Sequence, residues 1–417
     1  MLWLFGDIRM NRSSARSTGI AASVAFWAWC ALLSYPLIGE NVNFAEAAAA
    51  YTTSATQIIY QVIGLALFLS TMCIAFHARF VPTVGRMNYP QLAILLVIAL
   101  SFGLQLHDSE PATLVGTFYT ALLLVTILTL SVLWTLDPAD FERCMGVASV
   151  ILCAFGILAI AFLGWPKDRT VGAIQPNLFA SPLLAAFIFS QFRPGVLGLV
   201  VRILCLAMIA LVSSRFALIG CMTALVLHEM TFDPLSPRKL AALIIAILAG
   251  IVFWPQIVEI LALDDSGRGL SSGFSGRDER WNLAMAAISD NPLGIGFKRA
   301  LGDEAGHNGY LKLLLEFGVT GGGLIIFFLA CSLVAAGVEA SKSSGRPPQQ
   351  RRFDSARFGG LAGLSFGAFF QPQLLSLGDT FAMALLLLLF KPRSSPLPAP
   401  ASAEGLARRP MSGSYLG

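Results

Sequence analysis

Long apolar runs separated by short polar stretches dominate this chain. A helix needs roughly 20 mainly apolar residues to cross a bilayer, so runs of about that length are typical of membrane spans. The candidate spans are residues 18–38, 56–77, 91–106, 112–134, 145–164, 178–192, 195–212, 216–231, 240–258, 319–340, 358–373 and 374–390. The last two are also consistent with a hairpin that does not fully cross. The pattern predicts an all-α integral membrane protein with about 12 transmembrane helices.

Composition supports a membrane protein and excludes an ordinary soluble domain. The chain is 56% hydrophobic and only 12% charged, with a mean hydropathy of +0.73. Soluble domains carry about 25% charged residues. The net charge of +4 comes with no basic stripe interleaved with aromatics, so no nucleic-acid partner is expected.

Lysine and arginine positions predict the orientation, because cytoplasmic loops are enriched in both. With the N-terminus inside, nine of the 28 Lys and Arg residues fall on the outer side. These nine are Lys167, Arg169, Arg215, Arg268, Arg277, Arg280, Lys298, Arg299 and Lys312. The remaining cations lie on the inner side, which predicts that both termini are cytoplasmic.

This orientation divides the chain into five parts, with the segment 342–357 as a cytoplasmic loop. The parts are a cytoplasmic N-terminus (1–17), transmembrane helices 1–9 (18–258), a long periplasmic loop with short amphipathic helices (259–308), a re-entrant or periplasmic helix with transmembrane helices 10–12 (309–390), and a disordered cytoplasmic tail (391–417).

The middle of the long outer loop has a helical pattern. Arg277, Arg280, Trp281, Ala284 and Ile288 fall on one face, which indicates a short amphipathic helix lying on the outer membrane surface. Tryptophan suits such an interface. The spacing alone favours contact of the two arginines with lipid headgroups, and the alternative is that they bind an anionic ligand.

A second outer cation, Arg215, lies between two apolar runs. Such a side chain can snorkel to water, but an ionisable group there is a candidate functional residue by default. The sequence contains no P-loop, GxGxxG after a strand, GxSxG or HExxH. Asp264 and Asp265 are adjacent, a poor arrangement for clamping one metal ion. We therefore expect neither metal nor cofactor.

The stretch "HNGYLKLLLEFG" places a histidine before an apolar helix on this outer side. His307 and Tyr310 share one helix face, and Lys312 can pair with Glu316 at i,i+4. Gly318 permits a bend in the helix. A lone histidine is more often structural than catalytic, but its position beside outer arginines makes His307 a candidate catalytic residue.

Four stretches resemble the bacterial O-antigen ligase and polymerase family of multispanning membrane glycosyltransferases. "SGRDERWNLAMAAISDNPLGIGF" followed by "HNGYLKLLLEFGVTGGGL" is similar to two late blocks of that family, in order. "SSRFALIG" resembles its serine–arginine motif, and "RTVGAIQPNLFA" its arginine–glycine–asparagine motif. The resemblance covers roughly residues 160–330.

The resemblance implies a glycosyltransferase in the bacterial inner membrane whose active site faces the periplasm. Its donor is a saccharide linked to undecaprenyl diphosphate, and its acceptor is a lipid-linked repeat unit or lipid A–core. Membrane lipids and other polysaccharide assembly proteins are the further partners expected.

The resemblance also implies roles for particular residues. Arg215 and Arg277 bind the diphosphate, with Arg280 in reserve, and His307 is the general base. The substrate cavity is lined by Arg169, Asn177, Trp281 and Tyr310, of which Tyr310 orients the sugar or histidine, or simply packs.

The motifs do not separate a ligase from a polymerase, since the donor chemistry is shared. The compact layout of the late blocks looks like the exopolysaccharide branch and slightly favours a polymerase. A transporter or flippase of lipid-linked saccharide is the alternative from a different class, and a non-catalytic scaffold in an export complex is a third.

Overall fold

The computed structural model describes residues 12–34, 84–105, 111–172, 174–233, 251–260, 273–297 and 307–392, and single residues between 237 and 248. These residues form α-helices and contain no β-strand, which confirms the all-α class for this part of the chain. The helices are α1 (Arg12–Ser34), α2 (Tyr89–Gln105), α3 (Pro111–Leu133), α4 (Pro138–Leu163), α5 (Pro176–Ser190), α6 (Val196–Leu211), α7 (Arg215–Phe232), α8 (Trp254–Ile260), α9 (Gly273–Asp290), α10 (Gly309–Ser341), α11 (Pro348–Gly367) and α12 (Thr380–Leu389).

Three of these helices, α4, α7 and α10, are long and apolar enough to cross a membrane. Shorter apolar stretches of 10–17 residues lie in α1, α2, α3, α5, α6 and α12. Twelve crossings and the location of the termini stay predictions. The predicted span 56–77, part of 240–258 and the tail beyond residue 392 fall outside the described residues.

The tightest helix pair is α7 with α11, which run antiparallel. A Cβ atom on Gly359 would overlap the carbonyl oxygen of Ala224, and one on Gly363 would overlap that of Gly220. The small residues recur every fourth position on both helices, a spacing that lets two backbones approach closely in a membrane. Near the end of α11, Gly367 has Phe216 as a neighbour, so α7 begins where α11 ends.

The helices α5, α7 and α10 all begin at one end of the bundle. Asn177 in the first turn of α5 contacts Ser214, which precedes α7. Gly309 at the start of α10 donates its N–H to the carbonyl oxygen of Ala368, just after α11, at 2.8 Å. We call this the motif end, defined by Asn177, Ser214, Gly309 and Ala368.

The opposite end carries a network of charged side chains that ranges from buried Asp354, Arg357 and Lys391 to exposed Arg346. Lys391 Nζ donates to Asp354 Oδ1 at 2.6 Å and to Glu339 Oε1 at 3.1 Å. Arg346 Nη1 donates to Asp354 Oδ2 at 2.8 Å, and Arg357 Nη1 to Glu339 Oε2 at 2.9 Å. We call this the ion-pair end, defined by these five residues.

The prediction of a loop over 342–357 is wrong for most of that segment. A 3-10 turn covers Lys342–Gly345, and α11 then begins at Pro348. Proline suits a first helical turn because that position needs no N–H donor. Two charges of the segment are buried, since Asp354 and Arg357 are 2% and 3% exposed, and their ion pairs offset the cost of burial.

Two other boundaries differ from those predicted. The first helix begins at Arg12 rather than near residue 18. The run 374–390 contains turns up to Asp379, and the helix α12 has only ten residues. At 1.5 Å per residue it rises about 15 Å, half the thickness of a typical hydrocarbon core.

The close contact between α7 and α11 can be tested at Gly363. The Gly363→Ala variant should lose about 1–3 kcal/mol of stability, because the new Cβ forces two backbones apart. The measurement is thermal unfolding of the detergent-purified protein. Gly103→Ala is the matched control, since a Cβ there meets nothing within 4 Å. Equal melting of the Gly363 variant and the wild type would contradict the proposed constraint.

Candidate functional site

The loop between α4 and α5 is joined to the start of α7 through Arg169. Its Nη2 atom donates a hydrogen bond of 2.6 Å to the carbonyl oxygen of Ser213. Both residues have left-handed backbones, with φ of 72° at Arg169 and 50° at Ser213. Residues with side chains rarely adopt this conformation, and it tends to occur at functional sites. The strained pair fixes where the guanidinium lies.

The rest of the Arg169 guanidinium is buried but not used for hydrogen bonding. Its Nε and Nη1 atoms have no hydrogen-bond partner in the part of the chain that the structure describes. A buried donor left unpaired costs about 1–3 kcal/mol. Guanidinium N–H groups in this state are well suited to an oxyanion, because the planar fork matches phosphate oxygens.

Asn177 lies next to this arginine in space. Its Oδ1 atom accepts a hydrogen bond of 3.1 Å from Ser214 Oγ. Ser214 is therefore engaged with α5 and does not cap α7 with its side chain. Arg215 follows as the first residue of α7 and is half-buried. The motifs around Arg169 and around Arg215 are thus joined by hydrogen bonds.

The histidine motif is attached to the end of α11. Asn308 caps α10, with its Oδ1 accepting from the N–H groups of Tyr310 and Leu311. Tyr310 donates its hydroxyl hydrogen to the Ser365 carbonyl oxygen at 2.6 Å, and its ring centroid lies 4.6 Å from that of Phe369. Of the roles predicted for Tyr310, these contacts favour packing.

His307 directly precedes this cap. It is half-buried, and its backbone is left-handed with φ of 53°. The cap and the Gly309 bond to α11 fix the next two residues. His307 therefore stands at the motif end, where α7 also begins with Arg215.

Helix dipoles reinforce the positive character of this end. An α-helix carries about half an elementary positive charge at its N-terminus and favours anions there. α5, α7 and α10 begin at the motif end, and neither α5 nor α7 has a side-chain hydrogen bond at its N-cap. With Arg169 and Arg215, these helix starts make the motif end suitable for a charged phosphate group.

The predicted helix of the outer loop exists as α9 and docks on α10. Ala284 and Ile288 are buried, Trp281 is half-buried and Arg280 is exposed. Ile288 packs in a small apolar cluster with Leu315 of α10. The side chain of Arg277 lies outside the described residues, so its predicted role stays a prediction.

Backbone hydrogen bonds lock the segment after α9 against the middle of α10. Ile295 donates to Leu315 at 2.9 Å, Gly296 to Glu316 at 3.1 Å, and Val319 to Pro292 at 2.9 Å. These pairs hold α9 at a fixed position on α10, the helix that follows His307.

Two glycines make this lock possible. Gly318 has φ of 75° and bends α10, as the sequence predicts, and Gly294 has φ of 88°. A Cβ on either would overlap the other segment's backbone. The predicted i,i+4 pair just before the bend also exists, with Lys312 Nζ 3.8 Å from Glu316 Oε1 and both side chains buried.

Compared with known proteins, the chain matches no family model and no curated protein. Membership of the O-antigen ligase and polymerase family therefore stays a hypothesis based on the motifs. Within the structure, the motif end brings together Arg169, Asn177, Arg215 and His307. The hydrogen bonds of Ser213 to Arg169 and of Ser214 to Asn177 were not predicted from the sequence, although both serines belong to the recognised "SSR" stretch.

The lock at the bend can be tested with Gly318→Ala. A Cβ there would lie 2.5 Å from the Leu293 carbonyl carbon, and a left-handed alanine costs about 1–2 kcal/mol by itself. The amides of Ile295, Gly296 and Val319 should exchange hydrogen at least about tenfold faster, since 1.4 kcal/mol is a factor of ten. Hydrogen-exchange mass spectrometry measures this change.

Gly323→Ala is the control for that experiment, because it lies in the same helix and a Cβ there meets nothing within 4 Å. Its exchange should equal that of the wild type. Unchanged protection of the three amides in Gly318→Ala would show that the lock does not depend on this glycine.

Proposed function

We propose that the chain is a membrane glycosyltransferase of the O-antigen ligase and polymerase type. It transfers a saccharide from undecaprenyl diphosphate to an acceptor hydroxyl on the periplasmic side of a bacterial inner membrane. A polysaccharide polymerase is slightly favoured over a lipid A–core ligase, on the layout of the late motif blocks.

One observation carries the proposal. The separate motifs of residues 165–177, 213–216 and 307–310 meet at the motif end, although 37 residues separate Asn177 from Ser214 and 55 separate Tyr310 from Ser365. The motif end therefore contains guanidinium donors, helix N-termini and a histidine. These groups match a reaction that must hold a diphosphate and remove a proton.

The reaction assigns each group one task. His307 takes the proton from the acceptor hydroxyl as its oxygen attacks the anomeric carbon of the donor sugar. The bond from that carbon to the phosphate oxygen breaks, and its electron pair leaves with undecaprenyl diphosphate. Arg169 and Arg215 stabilise the negative charge that develops on the leaving group.

Arg169 takes a larger part in this scheme than the cavity-lining role predicted for it. Its fork has two buried donors that no described residue uses, while Nη2 is committed to Ser213. Arg215 adds its charge at the start of α7, where the helix dipole also favours an anion. Arg280 is exposed on α9 and serves the incoming lipid-linked substrate.

A defined substrate tests the function directly. The purified protein receives a radiolabelled undecaprenyl-diphosphate-linked repeat unit as its only saccharide, and then the same donor with lipid A–core. A ladder of longer lipid-linked glycans indicates a polymerase, and a single product that requires lipid A–core indicates a ligase. His307→Gln should lower the rate about 10²–10⁴-fold, the usual contribution of a general base.

Arg143→Gln is the control variant, because the Arg143 side chain is 55% exposed and lies at the start of α4, whereas the Arg169 loop follows the other end of that helix. It should keep full activity. No product with either acceptor from folded wild-type protein would overturn the proposal. Movement of the intact donor across proteoliposomes would then favour a transporter.

Arg169 is tested by its two possible replacements. Arg169→Lys keeps the charge but loses the fork, and Arg169→Gln loses both, so we expect stepwise losses of transfer rate. Each loss should be about tenfold or more, in line with about 1.5–3 kcal/mol for a hydrogen bond to a charged group. Full activity of the Arg169→Lys variant would show that only the positive charge matters and would contradict a bidentate role for Arg169.

A further inference from the structure

A cavity lies at the ion-pair end, opposite the motif end. Its volume is about 240 Å³. The polar residues that line it include Arg86, Gln350 and Lys391, and the aromatic ones are Trp134, Phe141 and Phe353. The cavity therefore combines cationic groups with flat apolar walls.

The walls of this cavity are held rigidly. Gln91 is fully buried and donates from Nε2 to the carbonyl oxygens of Leu389 and Lys391, at 2.7 and 2.8 Å. Gln91 also exchanges hydrogen bonds with Asn88 at the start of α2, close to Arg86. The segment that carries Arg86 is thus tied to the chain around Lys391.

The aromatic wall is fixed as well. Trp134 Nε1 donates to the Leu387 carbonyl oxygen at 2.7 Å. Its ring stacks on Phe141 with centroids 4.3 Å apart, and Phe141 contacts Phe353 at 5.5 Å. Lys391 Nζ lies 5.7 Å from the centre of the Trp134 ring. Such a preformed site loses little freedom when a ligand binds.

The charged side chains that line the cavity, Arg86 and Lys391, are both cations. In the ion-pair network three cations, Arg346, Arg357 and Lys391, share two carboxylates, Glu339 and Asp354. Arg86 adds a further positive charge on the cavity wall. It has no ion pair or hydrogen bond to another side chain within the described residues.

One helix N-terminus adds to the attraction for an anion. α11 begins at Pro348, close to the lining residues Gln350 and Phe353, and has no acidic residue in its first turn and no side-chain hydrogen bond at its N-cap. Its positive end favours an anion. α4 begins at Pro138, which also lines the cavity, but Asp140 already lies in its first turn.

We propose that this cavity binds a small phosphate ester. Arg86 binds the phosphate group, and the aromatic wall contacts the organic group of the ester. The volume is below the roughly 300–1,000 Å³ of sites for drug-sized ligands, so it fits a headgroup-sized ester. The phosphate belongs to an anionic membrane lipid or to a free metabolite. This site is independent of the glycosyl transfer proposed for the motif end.

The test uses the full chain purified in detergent. Native mass spectrometry measures the affinity for a phosphatidylglycerol and for a phosphatidylcholine, and a second titration uses soluble glycerol 1-phosphate. The variants are Arg86→Gln, Arg86→Lys and, as a matched cation at the same end, Arg143→Gln. Arg86 is exposed, so its variants should fold, which an unchanged melting temperature confirms.

Arg86→Gln should weaken phosphatidylglycerol binding about tenfold, with a smaller loss in Arg86→Lys and none in Arg143→Gln. That result identifies a lipid headgroup site. If glycerol 1-phosphate alone shows the dependence on Arg86, the ligand is a soluble ester. If neither probe binds, or if Arg143→Gln weakens binding as much as Arg86→Gln, the proposal is overturned.

Discussion

The contact between the backbones of α7 and α11 is the constraint on which the rest of the bundle depends. Gly359 and Gly363 let α11 approach the carbonyl oxygens of Ala224 and Gly220, closer than any side chain allows. The antiparallel pair sets Arg215 beside the last turn of α11. The histidine motif is bonded to that same turn through Gly309. Close helix contact is thus what brings two distant motifs to one place.

The charged side chains are paired differently at the two ends of the bundle. At the ion-pair end the carboxylates of Glu339 and Asp354 are each shared by more than one cation, so most charge is neutralised internally and stabilises the fold. At the motif end Arg169 is held by a single bond to Ser213 while its other buried donors lack partners among the described residues. The shared ion pairs favour stability, whereas the buried Arg169 donors that no described residue uses favour binding.

Periodicity in the sequence predicts the helices well, including α9 and the bend at Gly318. Local spacing also predicts the Lys312–Glu316 pair, since both residues lie on one helix. The charged stretch 342–357 has the sequence pattern of a solvated loop. Asp354 is neutralised by Arg346 and Lys391, which are eight and 37 residues away along the chain. Hydrophobic periodicity and local spacing do not predict contacts between residues that are distant in sequence, such as these ion pairs or the contact of Gly294 with Gly318.

The helical turns between Asn308 and Gly318 are fixed at both ends, by Ala368 on one side and by the segment 292–296 on the other. Each added residue would turn one end against the other by 100° and lengthen the piece by about 1.5 Å. The length of this helical stretch therefore matters as much as its amino-acid sequence. An insertion or deletion within it would shift the histidine away from the arginines.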